Sequence, residues 1–409
     1  LCSCLMNYRE TIDWLENIPT SFDSNYNNYE LKLNSIKSFL DFLGNPQDNL
    51  EIIHVGGTNG KGSTCHIISS ILQEHNFTVG LFSSPHIYDF KERIKINSNL
   101  IDESYIIQFV NLNKKYILEN NLSFFEISFA LSLEFFNFKK VEYAVIEVGL
   151  GGRLDSTNVI NPLVSVITNI GYDHKKFLGN SLEEIAKEKA GIIKTSIPVV
   201  IGESCNITSK VFNNYCKKIK TSIFYVNQDG YQHDTDLKGS YQNRNINTAI
   251  LALKKIKSID LDENKTRRGI KNINRNTKLI GRWEIVKEYP TIIFDVAHNI
   301  NSLEIIFGEL KKIKGLIRVV FGTLDKIDQL ECLNIFPKNY KYYLCSPKSK
   351  RAMHLDKLEK YADQLKMDYQ SFDSTNSAFQ KASKDSSKDD TIIVTGSNYL
   401  FSEINLEKN

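Results

Sequence analysis

The stretch Glu51–Ser63, EIIHVGGTNGKGS, limits what this chain can become more than any other part of it. EIIHV reads as a short buried strand, the next residues as a glycine-dense turn, and STCHIISSILQEH (63–75) as a helix. Gly57, Gly60 and Gly62 carry no side chain, so the backbone can close on a phosphate. The N–H groups that open the helix point the same way and favour an anion. Lys61 adds a mobile positive charge. These are the mechanics of a nucleotide-phosphate loop. The stretch departs from the commonest template, G-x-x-x-x-G-K-[ST]: Val55 stands at the first position, and Gly62 separates the lysine from Ser63. The bland alternative is a tight strand-to-helix turn that happens to hold a lysine.

A chain of 409 residues has room for two or three domains, each with its own core. Its hydrophobic and charged fractions, 41% and 24%, are ordinary for a soluble globular protein. A net charge of +3 gives no reason to expect a nucleic-acid or membrane surface. The cysteines (Cys2, Cys4, Cys65, Cys205, Cys216, Cys332 and Cys345) are scattered, and the Cys2-x-Cys4 pair lacks a second pair for zinc. A reduced, cytoplasmic protein is expected. No apolar run reaches the length of a membrane span. The opening LCSCLMNYRETIDWL is a poor signal peptide, and Met6 is read as the natural start.

YRETIDWLENI and YELKLNSIKSFLDFLG read as helices, the second closed by Gly44 and Pro46. Strands and helices then alternate. Strands are expected at 78–84, 142–152, 163–170 and 197–203, and helices at 103–120 and 124–138. A second alternation follows Arg282, with strands at 291–299, 316–324, 340–347 and 391–398. The pattern predicts an α/β protein: a phosphate-loop parallel-sheet ATPase domain over 1–279, a hinge at 280–283 within the polar stretch 271–283, and a smaller Rossmann-like domain over 284–409. The Lys/Ser/Asp-rich run 381–390 reads as a solvated helix end and loop.

In open parallel sheets, ligands sit beyond the carboxyl ends of the strands. Ser84, Glu147 and His174 all fall at such ends. Magnesium prefers oxygen ligands, so Ser84 and Glu147 suit it directly, whereas His174 is a less usual choice. Singly, each has a plain reading: a turn before Pro85, a carboxylate that satisfies local N–H groups, an ordinary histidine.

The motifs IIHVGGTNGKGS, SSPHIYDFKERIKIN, EVGLGGRLDSTNVI, ITNIGYDHKKFLGNSLEEIAKEKAGIIK, GRW, FDVAHN and VTGSNYL occur in that order from about residue 50 onward. Together they resemble the folylpolyglutamate/dihydrofolate synthases of the Mur ligase superfamily. The resemblance implies ATP and Mg2+ as cofactors, with Thr58, Asn59, Gly60, Lys61, Gly62 and Ser63 at the phosphates. It implies Ser84, Glu147 and His174 as metal ligands, and a carbamylated Lys189 that holds a second magnesium ion. Lys61, Lys189 and His174 then form the catalytic set. ATP is expected between the domains, with Arg282 on phosphate and Asp295 and His298 reaching it from the second domain. Asn245 is expected at the adenine, although its segment LKGSYQNRNINTA departs from the usual G-x-H-Q-x-x-N-A-A: Tyr241 replaces histidine, and Ile246–Asn247 replaces Ala-Ala. Phe125 and Asp155 match positions near the pterin; by their own residue types they read equally as core and as a turn cap.

The expected reaction is ATP-dependent ligation of L-glutamate to dihydropteroate and/or to reduced folates, through an acyl phosphate, by a monomer; the alternatives are a folylpolyglutamate synthase alone or another Mur-type amino-acid ligase. GGRLD leans towards both activities. Three rivals are weighed. A cell-wall Mur ligase needs an N-terminal nucleotide domain, and about fifty residues precede the loop. A switch or motor ATPase does not need the SPH, YDH, EKAGI and DVAHN series. A non-catalytic folate binder does not need Lys61 and the metal set.

Overall fold

A computed structural model describes residues 6–19, 32–227, 232–325 and 329–406. Cys2, Cys4, the segment before Met6 and residues 29–31 of the second expected helix lie outside the described residues. The chain forms two compact units. The first takes the chain up to Ile170, with Leu182–Asp236 and Asn243–Lys278. The second takes Gly171–Ser181, Leu237–Gln242 and everything from Leu279.

The first unit is built on strands β1 (Ile52–Gly56), β2 (Val79–Phe82), β3 (Ile94–Ile96), β4 (Asn99–Leu100), β5 (Tyr143–Glu147), β6 (Val164–Ile167), β7 (Val199–Ile201) and β8 (Ile223–Tyr225). Their order is β4-β3-β2-β5-β1-β6-β7-β8. The apolar runs form the parallel centre, with β1 between β5 and β6, as strands covered on both faces must. The β3–β4 hairpin adds an antiparallel edge. Helices Lys61–Glu74, Glu103–Glu119 and Phe124–Phe138 pack around this sheet. One apolar cluster gathers Phe82, Phe109, Phe129 and Phe136. Another gathers Ile167, Ile192, Ile201 and Phe212.

The second unit carries β9 (Glu284–Glu288), β10 (Thr291–Phe294), β11 (Ile317–Phe321), β12 (Lys341–Cys345), β13 (Tyr369–Phe372) and β14 (Thr391–Thr395). The order is β13-β12-β11-β14-β10-β9, parallel except for β9 on β10. Its core centres on Phe307, Val319, Phe321, Tyr342 and Ile393.

Several expectations need correcting. The phosphate-loop helix starts at Lys61, not Ser63. The expected strands run too long: β2 stops at Phe82 and β5 at Glu147, because the glycines and prolines beyond them turn the chain. The polar stretch 271–283 is not linker throughout. Ile273–Thr277 is a helix whose first N–H groups, those of Ile273 and Asn274, donate to Asp236. At its other end the buried Lys95 donates from Nζ to the carbonyls of Thr277 (2.9 Å) and Lys278 (3.2 Å), a cation on the carbonyls that a helix leaves unsatisfied. Burial pushes that ammonium down to about 8. The run 381–390 is also more than solvated loop, since Asp390 is buried in a 2.6 Å ion pair with Arg318.

Candidate active site

The phosphate loop follows β1 in the centre of the sheet, and its conformation is one that side chains would obstruct. Gly57 has φ +141°, and a Cβ there would lie 1.9 Å from Thr168 Oγ1. Gly60 has φ +78°, and its Cβ would lie 2.4 Å from Asn245 Oδ1. The loop is tied from behind by the end of β6. Thr58 N–H donates to the Asn169 carbonyl (2.9 Å) and Asn59 N–H to Asn169 Oδ1 (2.9 Å). The Thr168 hydroxyl donates to the Asn59 carbonyl at 2.6 Å. Two lysines point at the loop. Lys61 Nζ donates to the Thr58 carbonyl (3.1 Å), and the buried Lys189 donates from Nζ to the Gly57 carbonyl (2.7 Å). Gly62 and Ser63 follow as buried residues of the helix. Thr168 and Asn169 were not singled out from the sequence. Their signal is a polar Thr-Asn pair directly at the end of an apolar strand.

Glu147 closes β5 and is buried, and one of its carboxylate oxygens accepts the Ser84 N–H at 3.1 Å. The segment after Ser84 is held by Glu92, which accepts the N–H groups of Ile87, Tyr88 and Asp89. A serine hydroxyl and a carboxylate are oxygen donors of the kind magnesium takes, and that ion completes its shell with water and phosphate oxygens; here the serine backbone N–H lies on the carboxylate. The pair therefore fits magnesium. Among the described residues, no group of three or more His, Cys, Asp or Glu side chains is disposed to hold a metal. His174, expected as the third ligand, belongs to the second unit.

Phe125 and Asp155 come together at one turn. A Cβ on Gly149 would lie 2.6 Å from Phe125 Cζ, so the ring rests on bare backbone. Phe125 also packs on Phe82, with centroids 5.8 Å apart. The next residue, Leu150, donates its N–H to Asp155 Oδ2 at 2.8 Å. Asp155 Oδ1 accepts the Thr157 N–H (3.0 Å) and hydroxyl (2.5 Å). Asp155 is thus the cap of the turn Ser156–Val159. Burial pushes its carboxyl up, and these bonds pull it back.

In the second unit, Asp173 gathers two expected residues and one unforeseen one. Its Oδ1 accepts the His174 N–H at 2.8 Å. Its Oδ2 lies 3.3 Å from His298 Nε2 and accepts from Asn299 Nδ2 at 3.1 Å. His298 Nδ1 lies 2.8 Å from the Val296 carbonyl, so both ring nitrogens are held. His174 itself sits at φ +51°, a conformation uncommon for a side-chain-bearing residue. Asp295 is buried and accepts from Trp283 N–H (2.8 Å), Ala297 N–H (2.9 Å) and the Tyr241 hydroxyl (3.2 Å). Burial pushes the Asp295 carboxyl up, and the Arg282 charge opposes this. Tyr241 therefore uses its hydroxyl where the related pattern has a histidine. Arg282 Nη1 donates to the Gly281 carbonyl at 3.0 Å.

Comparison with known proteins gives the family and the fold. Residues 55–262 match the Mur ligase middle domain, and residues 281–398 match the Mur ligase glutamate ligase domain. The chain is 35% identical to the dihydrofolate synthase/folylpolyglutamate synthase of Bacillus subtilis, over 71% of this chain and 75% of that one. It is 33% identical to the folylpolyglutamate synthase of Lacticaseibacillus casei, over 98% of each. Among solved structures, Escherichia coli FolC in complex with DHPP and ADP is similar with a TM-score of 0.80 and 27% identity, over 97% of this chain and 96% of that one. The Yersinia pestis bifunctional enzyme, complexed with AMPPNP and Mn ion, is similar with a TM-score of 0.82 and 26% identity, over 97% of each. No helix among the described residues is long and apolar enough to cross a membrane.

Proposed function

The chain belongs to the dihydrofolate synthase/folylpolyglutamate synthase family of Mur-type ligases, and on that premise we propose that it joins L-glutamate to dihydropteroate and to reduced folates at the expense of ATP. The observation that carries this is the glycine loop with two lysine amines on its carbonyls, Lys61 on Thr58 and Lys189 on Gly57. An amine does not displace hydroxide from a carboxylate in water. Transfer of the ATP γ-phosphoryl group to the substrate carboxylate makes an acyl phosphate and releases ADP. The glutamate amine attacks the acyl carbon, a tetrahedral intermediate forms, phosphate leaves, and the amide remains.

The protein's work is to neutralise developing phosphate charge and to align the reactants. The N–H groups of Thr58 to Ser63 and the Lys61 ammonium serve the phosphates. Ser84 and Glu147 would hold magnesium, with His174 as the further ligand, and the ion would supply charge neutralisation at the phosphates. Asn245, beside Gly60, serves the adenine, and Arg282, Asp295 and His298 contact the nucleotide. Lys189 is read as the site of a carbamate; its amine is buried at the loop, and a carbamate resonance in carbon-13-bicarbonate-labelled protein, absent from Lys189→Ala, tests this. Phe125 and the turn capped by Asp155 take the pterin. A monomer acting in the cytoplasm is the simplest accompanying reading, and a solution mass measurement tests the first part.

One observation favours a narrower reading, folate extension alone: both oxygens of Asp155 already accept protein hydrogen bonds. The deciding experiment offers dihydropteroate and a reduced folate separately to the purified protein, with ATP, magnesium and glutamate. ADP and amide formed in equal amounts with both acceptors support the bifunctional reading. Product from the folate alone supports the narrower one, and no product from either overturns both.

A further inference from the structure

His54 lies within β1 just before the phosphate loop, yet it has no place in the chemistry above. It is fully buried in the run Ile52–Val55, and its Nδ1 has no hydrogen-bond partner. An unmatched buried polar atom is destabilising, so whatever the imidazole contributes comes from its other nitrogen. Nε2 lies 2.8 Å from Thr157 Oγ1. The Thr157 hydroxyl proton is directed at Asp155 Oδ1, so its oxygen is left to accept. His54 must therefore donate from Nε2, which fixes its tautomer. The bonds run one way: imidazole to hydroxyl to carboxylate, with the other carboxylate oxygen on the Leu150 N–H. Leu150 adjoins the glycine on which the Phe125 ring rests. Burial lowers the His54 pKa to about 3, so the donor stays neutral across the physiological range.

We infer that His54 is a positioning residue for the pterin end of the substrate, acting through Thr157 to orient Asp155 and the Gly149–Leu150 turn under Phe125. This rests on the pterin reading of Phe125 and Asp155. Without the relay, the carboxylate is held by the Leu150 and Thr157 N–H groups alone, and the side-chain bond that fixes its rotation is lost. The phosphate loop does not share these bonds, so the effect is confined to one substrate.

The test is steady-state kinetics on folded variants of the whole protein, with dihydropteroate and ATP varied in turn. His54→Leu should raise KM for dihydropteroate about tenfold, the upper scale of one neutral hydrogen bond, and leave KM for ATP within twofold. His54→Gln, which keeps an N–H donor, should recover most of the loss. Thr157→Val removes the middle hydroxyl at constant shape and should show the same split, which keeps the question open to test if His54→Leu does not fold. Parent KM for dihydropteroate in folded Thr157→Val, or equal rises for both substrates, overturns the inference. Phe125→Ala and Asp155→Asn separate it from its premise. If neither changes pterin KM, the pterin reading itself fails; if both do while the His54 and Thr157 variants do not, only the relay fails.

Discussion

Lys61 and Lys189 show how much a single amine depends on its setting. Lys61 is partly exposed, and its amine donates to a loop carbonyl. Its removal therefore takes a charge from the phosphates and almost nothing from the core. Lys61→Ala should lower kcat by ~10²-fold or more with an unchanged melting temperature, checked by ligation rate and circular dichroism on one preparation. The proposed metal ligands make a second residue-scale prediction. Glu147→Gln and His174→Ala should each raise the magnesium concentration needed for half-maximal rate, and a parent-like titration in both would remove them from the metal. Residues of this kind stand out as candidates in the sequence because they carry reactive or metal-binding side chains within motifs. Thr168, Asn169 and Asp173 do not, because they act on backbone groups and neighbouring side chains, a role that any polar residue at a strand end could fill. Asp155 was visible as both a pterin residue and a turn cap, and the three bonds it accepts favour the cap as its first task.

Among elements, the strand–loop–helix unit was legible at once, because β1 and the helix Lys61–Glu74 differ sharply in period and are separated by glycines. The short edge strands β3, β4, β8, β9 and β13 were not. IKI and EIVKE mix apolar with charged residues over three to five positions, too few to distinguish a pleat from a loop. The helix Ile273–Thr277 was hidden by its polar composition; its stability comes from Asp236 and Lys95, far away in the sequence. The loop itself allows a direct element-scale test. Gly60→Ala places a methyl group 2.4 Å from Asn245 Oδ1 in a left-handed conformation, which costs roughly 1–2 kcal/mol from backbone sterics alone. ATP affinity should fall by about tenfold or more, read by calorimetric titration, while Gly308→Ala, with open space around its Cβ, should bind as the parent does.

The whole molecule is two α/β units with separate cores, and this division was legible from two separate alternations of strand and helix. The membership of Gly171–Ser181 and Leu237–Gln242 in the second unit was not, since it depends on packing across long sequence distances. Two histidines, His54 fully buried and His86 partly buried, set how the whole protein meets acid. Burial, aided by Lys194 for His54 and Arg93 for His86, lowers both to about 3, against 6.5 for a free imidazole. Between those values the unfolded chain binds protons that the folded chain does not. Their contribution to stability is therefore complete above about pH 6.5 and is lost as pH falls towards 3. Unfolding free energies from urea titrations should drop steeply over this window, by about 1.4 kcal/mol per pH unit for each histidine, and His54→Gln should remove roughly half of that histidine-derived slope. The ties from Thr168 and Asn169 to the phosphate loop have a kinetic consequence as well. An unordered loop would demand roughly 1–2 kcal/mol for each residue that an arriving ligand had to immobilise, and here that ordering is completed when the chain folds. Nucleotide capture should then run at the rate of oriented encounter, ~10⁵–10⁷ M⁻¹s⁻¹ or faster, with a single stopped-flow phase that rises linearly with concentration and no slow rearrangement behind it.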